Sequence, residues 1–287
     1  MQTSKNRQTT GFSLVELSIS IIIIGLLIGG ISSGSTLIKQ AEIRSIISDL
    51  RNYQTNYTTF KATYDAIPGD FNRADTYWSG TSCHATVAAA CNGDGDGVIR
   101  WRDVATSAAG VGDEAGRALK HLALAGIMPV SIAQLTATYA GGLNLVSGSL
   151  VPPQGKSDTS ACFYYAYNTV GAATTTDAVG ENAAGTVFLA SPWAGSNTNA
   201  LFYGGMIQTA NKSCAKASLS VLQALSIDQK LDDGAYNGTA AVGNSTGTFR
   251  AVEAMDPSAA TCLTGGNYNV GGTGANTKVC FVGLAVQ

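Results

Sequence analysis

Residues 11–31 read GFSLVELSISIIIIGLLIGGI, a long apolar run close to the N-terminus. From residue 12 to residue 31 there are twenty residues and one charge, the carboxylate of Glu16. A helix rises about 1.5 Å per residue, so this run spans roughly 30 Å, the hydrocarbon thickness of a bilayer. The polar stretch before it carries Lys5 and Arg7, and basic residues stay on the cytoplasmic side of a membrane. The pattern predicts a membrane-spanning helix with the rest of the chain outside the cytoplasm.

Glu16 is the unusual residue of this run. A carboxylate inside an apolar span costs about 2.5–3.5 kcal/mol on insertion scales, so it is usually paired or functional. The chain offers it no cation at the same depth. A cut between Gly11 and Phe12 would create an α-amine four residues before Glu16. One helix does not easily join these two groups, but a neighbouring copy shifted along the helix axis could supply the amine.

Residues 11–16, GFSLVE, resemble the prepilin processing motif of type IV pilins and type II secretion pseudopilins. The resemblance implies that a prepilin peptidase cuts after Gly11 and methylates the new N-terminal Phe12. It also implies that Glu16 pairs with the amine of a neighbouring subunit when subunits assemble at an inner-membrane platform. The alternative is a plain signal anchor that happens to contain one glutamate. An ordinary secretory signal is not expected, because the run carries a carboxylate and lacks a small-x-small cleavage site.

Three segments follow from this interpretation: a leader over residues 1–11, a stalk helix over 12–63 whose part 12–31 spans the membrane, and an extracytoplasmic head over 64–287. Apolar residues continue at helical spacing to Phe60, and Pro68 with Gly69 ends the helix. Further helices are predicted at 112–126 and at 218–231, the second capped by Ser218. β-branched and aromatic runs predict strands at 162–170, 186–191, 200–207 and 278–286. The resemblance implies an α+β, type IV pilin-like fold, with the long N-terminal helix packed on a mainly antiparallel β-sheet head.

The head contains an acidic, glycine-rich loop, NGDGDGVI, at residues 92–99. Oxygen ligands at alternating positions, with a glycine for the sharp turn, are what a Ca²⁺ loop requires. Position 12 is Asp103 where an EF-hand has glutamate, so Asp113 or Glu114 is an alternative source of that ligand. A solvated acidic turn without a metal is the other interpretation. The predicted ligands are Asn92, Asp94, Asp96, Val98 through its carbonyl, Asp103 and Glu114.

The chain has six cysteines. An even number in an exported domain indicates disulfides, although six cysteines allow fifteen pairings. Local pairing predicts Cys83 with Cys91, Cys162 with Cys214, and Cys262 with Cys280. The last pair resembles the C-terminal disulfide loop of many pilins.

The charge and composition of the chain argue against two classes of function. The formal charge is −2 and charged residues make up only 13% of the chain, so general nucleic-acid binding is not expected. The chain has two histidines, and its sequence contains neither a Walker loop nor a nucleotide fingerprint. Because these residues form no catalytic arrangement, an enzyme is not expected. The predicted function is a structural subunit of a type IV pilus or a type II secretion pseudopilus, located first in the bacterial inner membrane with its head in the periplasm. The alternative is a minor tip pilin or adhesin whose head binds a surface ligand.

Overall fold

A computed structural model of the chain describes residues 13–78, 91–99, 114–128, 161–168, 180–181, 187–188, 198–205, 217–232, 247–253, 261–264, 267–272 and 275–286. The α+β prediction is confirmed, because a long N-terminal helix is followed by an antiparallel sheet. The helices are α1 (Leu14–Tyr64), α2 (Ala74–Tyr77), α3 (Glu114–Leu124) and α4 (Val221–Leu231). The strands are β1 (Ala161–Asn168), β2 (Gly180–Glu181), β3 (Val187–Phe188), β4 (Thr198–Gly205), β5 (Leu219–Ser220), β6 (Phe249–Glu253), β7 (Leu263–Thr264), β8 (Asn267–Tyr268) and β9 (Lys278–Val286).

The chain divides into two compact units, Met1–Glu42 and Ile43–Gln287. In the first unit, α1 presents large apolar side chains on every face, from Leu14 at 85% exposure to Ile38 at 63%. A helix that is apolar all round belongs in a hydrophobic environment such as a lipid bilayer. The helix is long and apolar enough to cross a membrane, as the sequence predicted.

In the second unit, the rest of α1 contributes one face to the hydrophobic core. Its buried residues recur every three or four positions, the spacing of one helical face: Ile43, Ile46, Ile47, Leu50, Tyr53, Tyr57 and Phe60. The helix ends where Asp65 takes a left-handed conformation, with φ of 49°. The compact unit begins at Ile43, so it includes this part of α1.

The main sheet is antiparallel and is built around the C-terminal strand. β9 pairs with β4 along residues 282–286, with β6 along 280–284, and with β5 at Cys280 and Lys278. β1 pairs with the far side of β4. Every residue of β9 after Lys278 is buried, as expected for a central strand covered on both faces. The sequence predicted the bounds of this strand but not its central position.

Ser220, rather than the predicted Ser218, caps α4. The Ser220 hydroxyl accepts the Gln223 N–H, and the Gln223 side chain accepts the Ser220 N–H, which completes a capping box. Ser218 lies two residues before the cap and contacts the sheet instead of the helix. Its N–H donates to the carbonyl of Cys280 in β9, 2.9 Å away. Because residues 218–220 contact the sheet, α4 begins only at Val221.

A disulfide joins Cys262 to Cys280 with Cα atoms 5.2 Å apart, the pairing that resembles the pilin C-terminal loop. It ties the β7–β8 hairpin to the central strand. Cys91 is also disulfide-bonded. Cys83, Cys214 and the side chain of Cys162 lie outside the described residues, so the other two pairings stay predictions.

Candidate functional site

The first candidate site is the start of α1, where Glu16 interacts with its own helix. Its Oε2 accepts a hydrogen bond from the Ser13 N–H at 3.0 Å. Ser13 stands directly before the helix and Glu16 is its third residue, so the pair forms the carboxylate half of a capping box. This bond was not predicted from the sequence, although the Ser-x-x-Glu spacing of residues 13–16 is its sequence signal. Gly11 and Phe12 lie outside the described residues.

The hydroxyl groups near Glu16 are satisfied within the helix. Ser18 donates to the carbonyl of Val15 and Ser20 to the carbonyl of Glu16, both at 2.8 Å. An unsatisfied polar group in hydrocarbon costs several kcal/mol, of order 2–7, so these bonds make the serines compatible with lipid. Glu16 is the one charged residue among residues 14–38, and the rest of this surface is compatible with lipid.

The second candidate site is a cluster of three carboxylates, Asp70, Asp94 and Asp96. Ligand oxygens of these residues all lie within 4.8 Å of one another. Asp94 and Asp96 come from the predicted loop, whereas Asp70 comes from the segment that follows α1 and is buried. Sequence reasoning missed Asp70 because it precedes Asp94 by 24 residues, and only the tertiary fold brings them together.

Asp70 organises the backbone of the loop. Its Oδ1 accepts the N–H groups of Gly95 at 2.6 Å and Asp96 at 3.2 Å, and its Oδ2 accepts that of Gly97 at 2.8 Å. Gly95 and Gly97 have φ of 80° and 90°, a left-handed conformation that glycine adopts at no steric cost. An ionised carboxylate offers about four lone-pair sites, so these bonds leave capacity for a cation.

Burial raises the pKa of Asp70 to about 6. The hydrogen bonds from Gly97 and Gly95 oppose this shift, whereas the neighbouring Asp94 adds to it. Three carboxylates this close repel one another unless protons or a cation compensate them. A cavity of about 250 Å³ adjoins the cluster and is lined by Asp65, Ala66, Ile67, Asp70, Asn72, Gly95 and Gly97.

The other predicted ligands have different surroundings. The Oδ1 of Asn92 accepts the N–H of Asp75 in α2 at 2.9 Å, and its carbonyl accepts a hydrogen bond from Arg117. Glu114 is buried and accepts the Asp94 N–H at 3.2 Å, so it positions the loop. Val98 donates its N–H to Asp96 at 3.0 Å. Asp103 lies outside the described residues, as does Asp113, the alternative donor.

His121 on α3 forms hydrogen bonds with both chain segments of this site, one at Gly69 and the other at Cys91. Its Nδ1 accepts the Gly69 N–H and its Nε2 donates to the Cys91 carbonyl, both at 2.9 Å. This arrangement requires a neutral ring with the proton on Nε2. The ring is fully buried and lies parallel to that of Phe60, 6.1 Å away. Burial lowers the pKa of His121 to about 3. Short sequence patterns do not predict these two hydrogen bonds of His121.

Asn199 of β4 attaches the other end of the loop to the sheet. Its Nδ2 donates to the Gly97 carbonyl and its Oδ1 accepts the Ile99 N–H, both at 2.9 Å. One amide side chain thus pairs with two backbone groups as a neighbouring strand would. Together, Asn199 and His121 hold the acidic loop in one conformation from both of its ends.

A family model of the prokaryotic N-terminal methylation motif matches residues 6–32. Among curated proteins and among solved structures, none matches the chain. The motif match covers the leader and the apolar run that contains Glu16, and it confirms the prepilin-type leader predicted from the sequence. Residues 6–32 of this chain therefore form a prokaryotic N-terminal methylation motif with a class III prepilin leader, consistent with a type IV pilin-like protein.

Proposed function

We propose that this chain is a structural subunit of a type IV pilus or a type II secretion pseudopilus. The observation that carries this proposal is the methylation motif at residues 6–32, placed at the start of an apolar helix. The motif belongs to structural leader sequences and not to an enzyme family. The exposed apolar surface of α1 supports first insertion into a membrane and then packing against the helices of other subunits.

In this proposal, a prepilin peptidase cleaves after Gly11 and methylates Phe12. The subunit waits in the inner membrane with its head in the periplasm, and the assembly platform then moves it into the growing fibre. Glu16 guides the subunit into register, because its carboxylate attracts the new α-amine of a subunit already in place. Transfer from lipid to a bundle of like helices keeps the apolar surface of α1 away from water throughout.

Expression with and without the prepilin peptidase, in cells that contain the assembly platform, tests this function. With the peptidase, we expect the protein in the sedimentable fibre fraction that shearing releases. Without it, we expect the full-length chain to stay in the membrane fraction. Protein that sediments as fibres in both strains, or in neither, would contradict the proposal.

We also propose that Ca²⁺ stabilises the head at Asp70, Asp94 and Asp96. The donors are all oxygen atoms, which calcium prefers over softer nitrogen or sulfur ligands. The clustering of three carboxylate oxygens within 4.8 Å supports this assignment, since a divalent cation would offset their repulsion. Glu114, His121 and Asn199 would hold the loop ready for the ion by fixing its backbone.

The variant Asp70→Asn tests the calcium site. In the wild-type chain, saturating Ca²⁺ at about 100 times its Kd should stabilise the fold by about 2.7 kcal/mol, which raises Tm by about 5–10 °C. Asp70→Asn removes one carboxylate at nearly constant volume, so we expect at least a ten-fold weaker affinity by titration calorimetry and a smaller rise in Tm.

Asp75→Asn is the matched control, because Asp75 lies on α2 outside the three-carboxylate cluster. It should keep the full response to Ca²⁺. Absence of heat and of any Tm change in the wild-type chain at millimolar Ca²⁺ would rule out the site.

A further inference from the structure

A polar cavity of about 370 Å³ opens between α1 and the antiparallel sheet, within the second compact unit. Cavities that bind small molecules have volumes of about 300–1,000 Å³, so this one is large enough for a small ligand. It shares no described lining residue with the cavity beside the acidic loop. The described lining consists of Gln54, Thr55 and Thr58 of α1, Thr248 before β6, and Ala285 of β9.

The threonine hydroxyls of α1 use their hydrogen atoms inside the protein. Thr55 Oγ1 donates to the Arg51 carbonyl at 2.8 Å, and Thr58 Oγ1 donates to the Thr55 carbonyl at 3.0 Å. A hydroxyl has one hydrogen and two lone pairs, so each of these oxygens can still accept a hydrogen bond but has none to donate. The wall that α1 gives to the cavity therefore presents hydrogen-bond acceptors.

Thr248 adds a third acceptor from the opposite side of the cavity. Its Oγ1 lies 3.5 Å from the Oδ2 of Asp232, and because an ionised carboxylate only accepts, the Thr248 hydroxyl is the donor. The same carboxylate oxygen accepts the N–H groups of Thr248 and Phe249, which fixes this segment beside the cavity. Gln54 differs from the threonines, since its amide can donate as well as accept.

We infer that this cavity binds a neutral, hydroxyl-rich ligand, namely a small carbohydrate. Sugar hydroxyls supply the donors that the threonine oxygens require, and they can also accept from the amide of Gln54. The described lining residues carry no charge, and burying a charged ligand group without a partner is costly. The carboxylate of Asp232 behind Thr248 also disfavours an anion. The site lies on a single subunit, so its binding does not depend on the proposed assembly.

Thr58→Val tests the acceptor wall, because valine keeps nearly the same shape and removes the hydroxyl oxygen. Thr58 is exposed on α1, so the substitution should leave the fold intact. One neutral hydrogen bond contributes a factor of roughly 2–12 in affinity, and we expect about five-fold weaker binding. Thr63→Val is the matched control. The Thr63 hydroxyl makes the same type of helix bond, to the Thr59 carbonyl at 2.7 Å, but Thr63 does not line the cavity.

The measurement is an NMR titration of threonine methyl groups on the full chain, in micelles of a detergent without a sugar head group. The probes are glucose, galactose and N-acetylglucosamine, each added alone, with glucosamine as the cationic comparison. At least one neutral sugar should shift the methyl signals of Thr55 and Thr58 saturably, with a Kd of about 1 mM or below. The Thr63 signal should stay in place. Thr58→Val should weaken this binding, and Thr63→Val should not.

Three results would overturn the inference. The first is the absence of a saturable shift with all three neutral sugars. The second is equal sugar affinity in Thr58→Val and the wild type. The third is tighter binding of glucosamine than of every neutral sugar, which would assign the cavity to a cation instead.

Discussion

Glu16→Ala is expected to abolish fibre formation while leader cleavage continues. The substitution removes a charge from an apolar span, which makes membrane insertion easier by about 2.5–3.5 kcal/mol. It also removes the proposed partner of the neighbour's amine, and a hydrogen bond to a charged group is worth about 1.5–3 kcal/mol. Each intersubunit contact should weaken by at least ten-fold, and the loss repeats at every subunit added. The measurement is the amount of protein in the sheared fibre fraction, with the N-terminus of the membrane-bound protein determined in parallel.

Ser20→Ala is the matched control for this experiment. Ser20 lies one turn after Glu16, and its hydroxyl bonds only to the helix backbone among the contacts described. It should assemble as the wild type does. Normal fibre yield from Glu16→Ala would exclude an ion pair at Glu16 as the source of register.

His121→Phe is expected to destabilise the head by about 2–5 kcal/mol at pH 8. Phenylalanine keeps a ring against Phe60 but leaves the Gly69 N–H and the Cys91 carbonyl without their imidazole partner. Each buried polar group left unsatisfied costs about 1–3 kcal/mol. Thermal unfolding of the mature chain in detergent should show Tm lower by about 5–15 °C.

The pH dependence of this difference gives a second readout. The pKa of His121 falls from 6.5 to about 3 on folding, so the unfolded chain takes up the proton first. The contribution of His121 to the free energy of unfolding is complete above about pH 6.5. It is lost as the pH falls towards 3, by about 1.4 kcal/mol per pH unit. The advantage of the wild type over His121→Phe should therefore shrink by about 3 kcal/mol between pH 8 and pH 4.5.

The comparison between variants isolates His121 from other titrating groups. Asp70 acts in the opposite direction, because its pKa is raised to about 6 in the fold and its contribution grows as the pH falls from 6 towards 3.8. Since Asp70 is present in both proteins, its effect largely cancels. His121→Gln, which retains a donor and an acceptor but does not titrate, should also lose the acid sensitivity. A wild-type advantage that stays constant from pH 8 to pH 4.5 would contradict a neutral buried His121.

Local sequence patterns predicted the long N-terminal helix well. The helix at Leu14–Tyr64 follows from a continuous apolar run and then from apolar residues at helical spacing. Both signals depend only on neighbours in sequence. The same holds for α3, for the C-terminal end of α4 and for the bounds of β9, where apolar patterns and turn residues mark the ends.

The acidic site could be predicted only in part, because tertiary contacts complete it. Asp94 and Asp96 stand in a recognisable Asp-Gly pattern, but Asp70, His121 and Asn199 reach the loop from segments distant in sequence. The central position of β9 could not be predicted from the sequence for the same reason. Its pairing with β4 and β6 depends on contacts that no short sequence window contains.

The N-terminus of the purified protein tests the central claim most directly. Intact-mass and N-terminal sequence analysis of protein from cells that contain the prepilin peptidase should find a chain that begins at N-methylated Phe12. A protein that begins at Met1 and remains a monomer in the membrane would contradict processing and assembly together.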